Sequence, residues 1–418
     1  MHICVIGAGV VGVTTAYLLS EAGHRVTLIE AAADPAQGTS FANGGQLSFS
    51  YVAPLAAPGV LNDVPRWLLN RDAPLRFTPR LDPQQWRWSL AFAAACRRSV
   101  SESSTRALLA LSYLSRDTLH ALLARQPVEF GWRKTGKLIV YRQPALVEKA
   151  RAQVAYQALH GARQQVLDAE RTLTLEPALQ GMRDQLAGSV FTADDESGDC
   201  LTFTRGLFEA LRSRANTNIL MSTTVLGLRR TGRKIAAARL AGGKEMSADA
   251  FVIAAGMGSS GLLRDAGLRS PLYPLKGYSL SLPLTDSVAP WAPEISVTDY
   301  ERRIVYARVG RSLRIAAMVD IGSRDGSVDP VRIATLKRQV KEVFPDLPLD
   351  EAQAWAGMRP ATATGRPAIG AAPRADNLYL NIGQGALGFT LACGSAAVVQ
   401  ALIENRPSPI DAAPFAPR

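Results

Sequence analysis

His2-Ile-Cys-Val-Ile6 followed by Gly7-Ala8-Gly9-Val10-Val11-Gly12 is the stretch that decides the fold. The first segment reads as a short buried strand, and the glycine run turns directly into an apolar helix ending near Gly23. Arg25 to Ile29 then read as a second strand, capped by Glu30. Gly7 permits the tight turn, Gly9 lets the backbone approach a pyrophosphate, and Gly12 packs helix against strand. Val10 and Val11 open the helix, whose N-terminus offers N–H groups and partial positive charge to an anion. Glu30, eighteen residues past Gly12, is placed to accept hydrogen bonds from ribose hydroxyls. That favours a dinucleotide lacking a 2′-phosphate, and FAD and NAD both satisfy the pattern.

With 418 residues the chain can bury large cores, and its mixed helix and strand patterns predict an α/β protein of two domains. No run of about eighteen or more apolar residues occurs, and the start lacks the basic flank and cleavage pattern of a signal peptide, so a cytoplasmic location is expected. Cys4, Cys96, Cys200 and Cys393 are scattered without a CxxC pair, which predicts structural burial. The four histidines, His2, His24, His120 and His160, all precede the C-terminal half, which excludes a metal site or a Ser-His-Asp triad built there. Redox chemistry therefore calls for an organic cofactor. Net charge is +11 and the pI about 9.7, yet no basic stripe interleaved with aromatics accompanies it. The short cluster Arg229-Arg230 with Arg233-Lys234 falls on a predicted hairpin turn. Contact with anionic lipid is favoured over nucleic acid.

After Glu30 the uncharged loop Gly38 to Gln46 is suited to lie against a cofactor. Between Val60 and Ser101, Trp67, Phe77, Trp86, Trp88 and Phe92 stand among arginines and prolines. Such residues fill a domain core or lid, or dip into a bilayer interface. A long helical stretch follows to about Arg125. Gly136 to Tyr141 reads as strand, Gln143 to His160 and Thr202 to Ala215 as helices, and Asn218 to Leu228, Ile235 to Leu240 and Ala250 to Ala255 as strands. The last of these ends in Gly256-Met-Gly-Ser-Ser-Gly261, formally a second GxGxxG. Its helix is short, Pro271 and Pro274 follow, and no acid lies eighteen to twenty residues beyond Gly261, so it reads as a turn closing the same first nucleotide site.

Tyr278 to Leu282, Arg303 to Val309 and Leu313 to Val319 predict an antiparallel layer carrying substrate residues, with a helix over Val331 to Phe344. Leu378 to Ile382 is a strand, Gly383 to Gly388 a glycine turn, and Thr390 to Asn405 a small-residue helix. A second glycine turn opening a helix suits an extended cofactor gripped at both ends, which favours FAD over NAD. Beside it stands Gly357-Met-Arg359-Pro360. An arginine stiffened by a following proline suits bidentate capture of a carboxylate, and a structural ion pair would satisfy the same sequence.

Together these stretches resemble the FAD-dependent amine oxidoreductases related to D-amino-acid oxidase and glycine oxidase, most closely the bacterial D-amino-acid dehydrogenases of small-subunit type. The likeness spans almost the whole chain and rests on VIGAGVVGVTTAYLL at the start, SFANGGQLSFSYVAPLAAPGV at 40–60, ESGDCLTFT at 196–204, YPLKGYSL at 273–280, GMRPATATGRPAIG at 357–370 and NLYLNIGQGALGFTLACGSA at 377–396. It implies a Rossmann-like FAD-binding domain from 1–50, 190–272 and 346–418, and an α+β substrate domain with an antiparallel sheet from 51–189 and 273–345. It also implies that Gly7, Gly9, Gly12 and Glu30 hold the ADP half of FAD, with Ser40, Asn43, Gly44, Gly45, Gln46 and Leu47 along the pyrophosphate and flavin. Val225 would contact the adenine side, Ala255 and Gly256 the diphosphate, and Gly385, Leu387, Gly388 and Thr390 the pyrimidine edge. Arg359 matches the carboxylate-binding arginine. Tyr278 falls among substrate-facing residues, with Tyr51 and Tyr306 as further candidates.

The chain departs from the family where near relatives read GHGTLGW and it reads Gly383-Gln384-Gly385-Ala386-Leu387-Gly388-Phe389, and where Thr362-Ala363-Thr364 replaces TPD. These changes bear on substrate range and electron acceptor. The activity implied is oxidation of a D-amino acid to an imino acid that hydrolyses to a 2-oxo acid and ammonia. Arg359 would aim Cα–H at flavin N5, and the neutral amine would assist without a strong protein base. Electrons would pass to membrane quinone through peripheral contact at the inner face of the membrane, or to oxygen. Two alternatives remain: a dehydrogenase of a secondary amine such as D-hydroxyproline, proline or an N-alkyl glycine, and an FAD-retaining subunit without catalysis of its own.

Overall fold

The computed structural model describes residues 1–61, 72–323 and 325–418. Trp67 lies outside the described residues. The opening segment forms the strand His2–Ile6 at the interior of a six-stranded sheet. Its order is Ala368–Ala371, Leu378–Ile382, Ala250–Ile253, His2–Ile6, Arg25–Ile29, Thr217–Leu220, parallel except at the Ala368–Ala371 edge. Alternation serves two cores at once. Ile3 and Val5 face helices Val10–Glu21, Cys200–Arg212 and Gly388–Ile403, while Cys4 and Ile6 face the small antiparallel sheet built from Val225–Thr231 and Lys234–Leu240. Burial on both faces explains why this strand reads as a continuous apolar run.

A nine-stranded mixed sheet forms the second layer. From one edge it runs Gln353–Thr362, Leu272–Pro283, Ser312–Ile321, Ile304–Val309, Ser296–Asp299, Lys137–Tyr141, Gly188–Thr192, Gln164–Leu167, with Leu75–Phe77 paired to Ser312–Ile321 off this path. Leu280, Ile304, Tyr306, Leu313 and Ile315 pack with helix Pro330–Lys341 in a core of their own. The expected antiparallel layer is present.

Several boundaries differ from the sequence reading. Gln353–Thr362, expected with the FAD-binding part, hydrogen-bonds along Leu272–Pro283 and belongs to the large sheet. Helix Arg98–Arg125, expected with the substrate part, buries Leu108, Leu111, Leu119 and Leu122 in the first core beside Gly388–Ile403. Gly394 permits that approach, because a Cβ there would lie 2.6 Å from the Leu111 carbonyl oxygen. The strand expected from Asn218 to Leu228 is two strands in different sheets, broken where Ser222 takes a φ of 49°.

The four cysteines are buried and unpaired. Arg229 and Arg233 flank the expected hairpin and pair with Glu245 and Asp376 at 2.8 and 2.7 Å, so this basic cluster is engaged locally. In the aromatic region Trp88 stacks on Phe92 at 5.3 Å and donates to the Ala361 carbonyl at 3.0 Å, a core role. Its helix, Pro83–Ala95, leaves Trp86 47% and Leu90 72% exposed on the outer side.

Candidate functional site

A cleft of about 2250 Å³ runs between the two layers, lined by residues from both sheets. Gly7, Gly9, Val10, Val11, Glu30, Val225, Ala255 and Gly256 line one part. Gly7 adopts a φ of 109°, and a Cβ on it would sit 2.6 Å from the Ala254 carbonyl oxygen. Gly12 does not line the cleft; its Cβ would overlap the Gly7 carbonyl, so it acts by letting helix and turn touch. Ser40 Oγ accepts the Val10 N–H at 3.1 Å. Glu30 accepts N–H groups from Ala8 at 2.6 Å and Ala32 at 3.0 Å, pinning both turns, and each oxygen keeps a second lone pair for a ribose hydroxyl. The turn after Ala250–Ile253 lines this same cleft, as the reading of Gly256 to Gly261 predicted.

Further along, Asn43, Gly44, Gly45 and Gln46 meet Gly385, Leu387, Gly388 and Thr390. Thr390 Oγ1 accepts the Ser48 N–H at 3.2 Å and donates to the Gln46 carbonyl at 3.3 Å, tying N-terminal segment to C-terminal helix. The Thr39 hydroxyl donates to the Met358 carbonyl at 2.8 Å, so the same loop grips the strand carrying Arg359. Gln384 is buried and donates to Asn381 Oδ1 at 2.7 Å, and Asn381 donates to Thr15 Oγ1 at 3.0 Å, a chain that fixes the glycine turn. Leu47 is a correction: its side chain is 1% exposed and sits in the first core, because alternation turns Gln46 and Ser48 toward the cleft. The glycine cradle, the open helix N-terminus and a cleft larger than an ordinary small-ligand pocket fit an extended dinucleotide cofactor.

Arg359 lines the cleft near Tyr278, Met318 and Trp355. It donates to the Met318 carbonyl at 3.0 Å and forms no ion pair among the described residues. Burial pulls its pKa down to about 10, against a counteracting pull from Asp320, so it remains a cation at neutral pH. Gly277 and Gly357 lie opposite each other in neighbouring strands. Side chains on them would occupy the space that Arg359 and Trp355 fill.

Behind Arg359 lies a hub that the sequence reading missed. Asp320, 1% exposed, accepts the Tyr278 hydroxyl at 2.8 Å and pairs with Arg76 and with Arg332 at 2.9 Å. Burial, then the bond to Asp320, pushes the Tyr278 hydroxyl far above the ordinary phenol range. Tyr278 lines the cleft, but its proton is committed to Asp320 rather than aimed at a ligand. Tyr306 is corrected outright. It is 0% exposed, packs edge-on to Phe344 at 4.9 Å, and points away from the cleft that its neighbour Val305 lines.

Tyr51 lines the cleft beside Lys137, whose Nζ lies 4.5 Å from its ring centroid. Lys137 was also missed. It is 2% exposed and donates to Gln46 Oε1 and Ser48 Oγ, each at 2.8 Å. Burial lowers its ammonium to about 8, opposed by Asp195, whose own carboxyl burial raises to about 6. One basic residue opening the apolar run KLIVY was the available signal, as was one acid in AAMVDI for Asp320. The site thus joins a dinucleotide cradle to a fixed cation suited to a carboxylate.

The model of the family described as FAD dependent oxidoreductase matches residues 2–402. The chain is 49% identical to D-amino acid dehydrogenase 2 of Ralstonia nicotianae, covering 100% of this chain and 99% of that protein. It is 46% identical to D-amino acid dehydrogenase 2 of Pseudomonas aeruginosa, covering 100% and 98%. Among solved structures, glycine oxidase from Geobacillus kaustophilus superposes with a TM-score of 0.77 at 20% identity, covering 100% of this chain and 98% of that one. L-proline dehydrogenase from P. horikoshii gives 0.76 at 16% identity, covering 98% and 95%. At such identities the two structures speak to the fold alone.

Proposed function

Because this chain belongs to the family of FAD dependent oxidoreductases, we propose that it is a D-amino-acid dehydrogenase, converting its substrate to an imino acid that water hydrolyses to a 2-oxo acid and ammonia. The full-length relatives that carry that name support the reading. FAD is the cofactor, and when bound it supplies the two-electron acceptor for the Cα–H bond. The observation that carries the proposal is Arg359, a partly buried guanidinium with one backbone hydrogen bond and no carboxylate partner among the described residues. A substrate carboxylate completes it, and bidentate pairing fixes the direction in which Cα–H points.

Each remaining part has a stated task. Asp320 holds Tyr278 and, with Met318, sets the wall against which Arg359 lies. Trp355 and Tyr278 line the cleft around the guanidinium. The substrate amine must shed its proton before Cα can be oxidised, and the resemblance calls for no strong protein base. We further propose that the acceptor is a quinone reached at an anionic membrane surface, with Leu81, Trp86 and Leu90 exposed beside Arg87, Arg97 and Arg98 as the contact.

Anaerobic spectral titration of the holoprotein tests the main reading. D-amino acids should bleach the flavin while their L enantiomers leave it oxidised. Bleaching only by L-amino acids, or only by cyclic and N-methylated amines, would replace the proposed substrate class, and no bleaching by any of them would support a subunit without catalysis.

A further inference from the structure

We propose that Lys137 is a further working residue of the flavin site: clamped between Gln46 and Ser48, its ammonium fixes the segment facing the cofactor and gives that part of the cleft a positive charge that favours reduced FAD. The inference rests on the FAD-binding reading and not on the identity of the amine. Lys137 begins the strand Lys137–Tyr141, whose Leu138 and Val140 face the large-sheet core while Ile139 and Tyr141 face the opposite side with Tyr51. Alternation therefore turns Lys137 toward the cleft, which it lines. An ammonium has three N–H donors, and two are given to Gln46 Oε1 and Ser48 Oγ.

No carboxylate touches this ammonium among the described residues. Asp195 stands behind it, outside the cleft lining, with Oδ1 accepting the Ser50 N–H at 3.1 Å and Oδ2 making no hydrogen bond among the described residues. A charge buried this way is costly, and here it is held by hydrogen bonds to two polar side chains of the cleft-lining segment and by the Tyr51 ring. The neighbouring chemistry gives that charge a use, since Gln46 and Ser48 are joined through Thr390 to the C-terminal glycine turn that lines the same cleft. Uptake of two electrons and one proton adds one negative charge to the cofactor. A poorly screened cation nearby shifts that equilibrium toward the reduced form.

The test measures the midpoint potential of bound FAD by equilibrium reduction against reference dyes, with no amino acid present, so failure of the substrate proposal leaves it readable. Lys137→Gln should lose at least ten-fold in the reduction equilibrium, about 30 mV more negative for a two-electron couple, and Lys137→Arg should stay near the parent value. Loss of FAD from Lys137→Gln but not from Lys137→Arg also supports the assignment. An unchanged potential in a fully loaded Lys137→Gln protein overturns it. So does loss of the fold, or of FAD, in both variants, because retained charge would then make no difference.

Discussion

At the residue scale the decisive feature is a cation without an ion-pair partner among the described residues. Many arginines here are ion-paired, as with Arg142 to Asp299 and Arg332 to Asp320. Arg359 instead spends one N–H on the Met318 carbonyl and presents the rest to the cleft. Replacing it by Met should raise KM strongly, by about 2–5 kcal/mol expressed as kcat/KM, while FAD content is unchanged. Steady-state kinetics with a flavin absorbance check decide this, and a near-normal KM removes the carboxylate assignment. The family resemblance singled out Arg359, for which a structural ion pair suits the sequence equally well, and ranked Tyr278 above Tyr306 without revealing that Tyr306 is core. Both are tyrosines on strands that flank Ser312–Ile321 in the large sheet, and only the packing of Phe344 over one and the approach of Asp320 to the other tells them apart.

At the scale of elements, strand Lys137–Tyr141 and the loop holding Asp195 place two ionisable groups in one buried layer. Lys137 falls from 10.5 to about 8 through burial. Between those values the unfolded chain binds a proton that the folded chain lacks, so stability rises with pH across about 8 to 10.5. Asp195 rises from 3.8 to about 6 through burial. In that lower window the folded chain holds the extra proton, and stability falls as pH climbs from about 4 to 6. Subtracting the urea-unfolding pH profile of Lys137→Met from that of the parent should leave a rise through the upper window, with a further rise above about pH 6 because Asp195 loses the cation that holds its pKa down; a flat difference in the upper window contradicts the burial of the ammonium. The glycine turns at Gly7 and Gly383 were legible as elements because each follows an apolar strand and opens a helix. Division of the chain was less so: helix Arg98–Arg125 and strand Gln353–Thr362 carry patterns that suit either layer, and only the distant segments they pack against decide between them.

For the whole molecule, the proposed route of the electrons to a membrane quinone depends on an exposed surface. The outer side of helix Pro83–Ala95 leaves Leu90 and Trp86 exposed next to Arg87, with Arg97 and Arg98 just beyond, a combination suited to an anionic bilayer surface. Replacing Trp86 and Leu90 together by Glu should abolish co-sedimentation with vesicles rich in anionic lipid and leave dye-linked turnover of the protein intact. Equal sedimentation of parent and variant would place membrane contact elsewhere or nowhere.

By itself the sequence determined the dinucleotide fold and pointed to its cofactor, because glycine spacing and strand periodicity are local and survive in one dimension; Arg359 was singled out by the family resemblance, since the Arg-Pro pair alone suits a structural ion pair equally well. Tertiary structure alone decided that Asp320 anchors Tyr278, that Tyr306 is core, and that Lys137 and Asp195 share a buried layer. Those outcomes depend on which distant strands lie side by side, and burial turns such juxtapositions into energies only after the sheets have closed on one another.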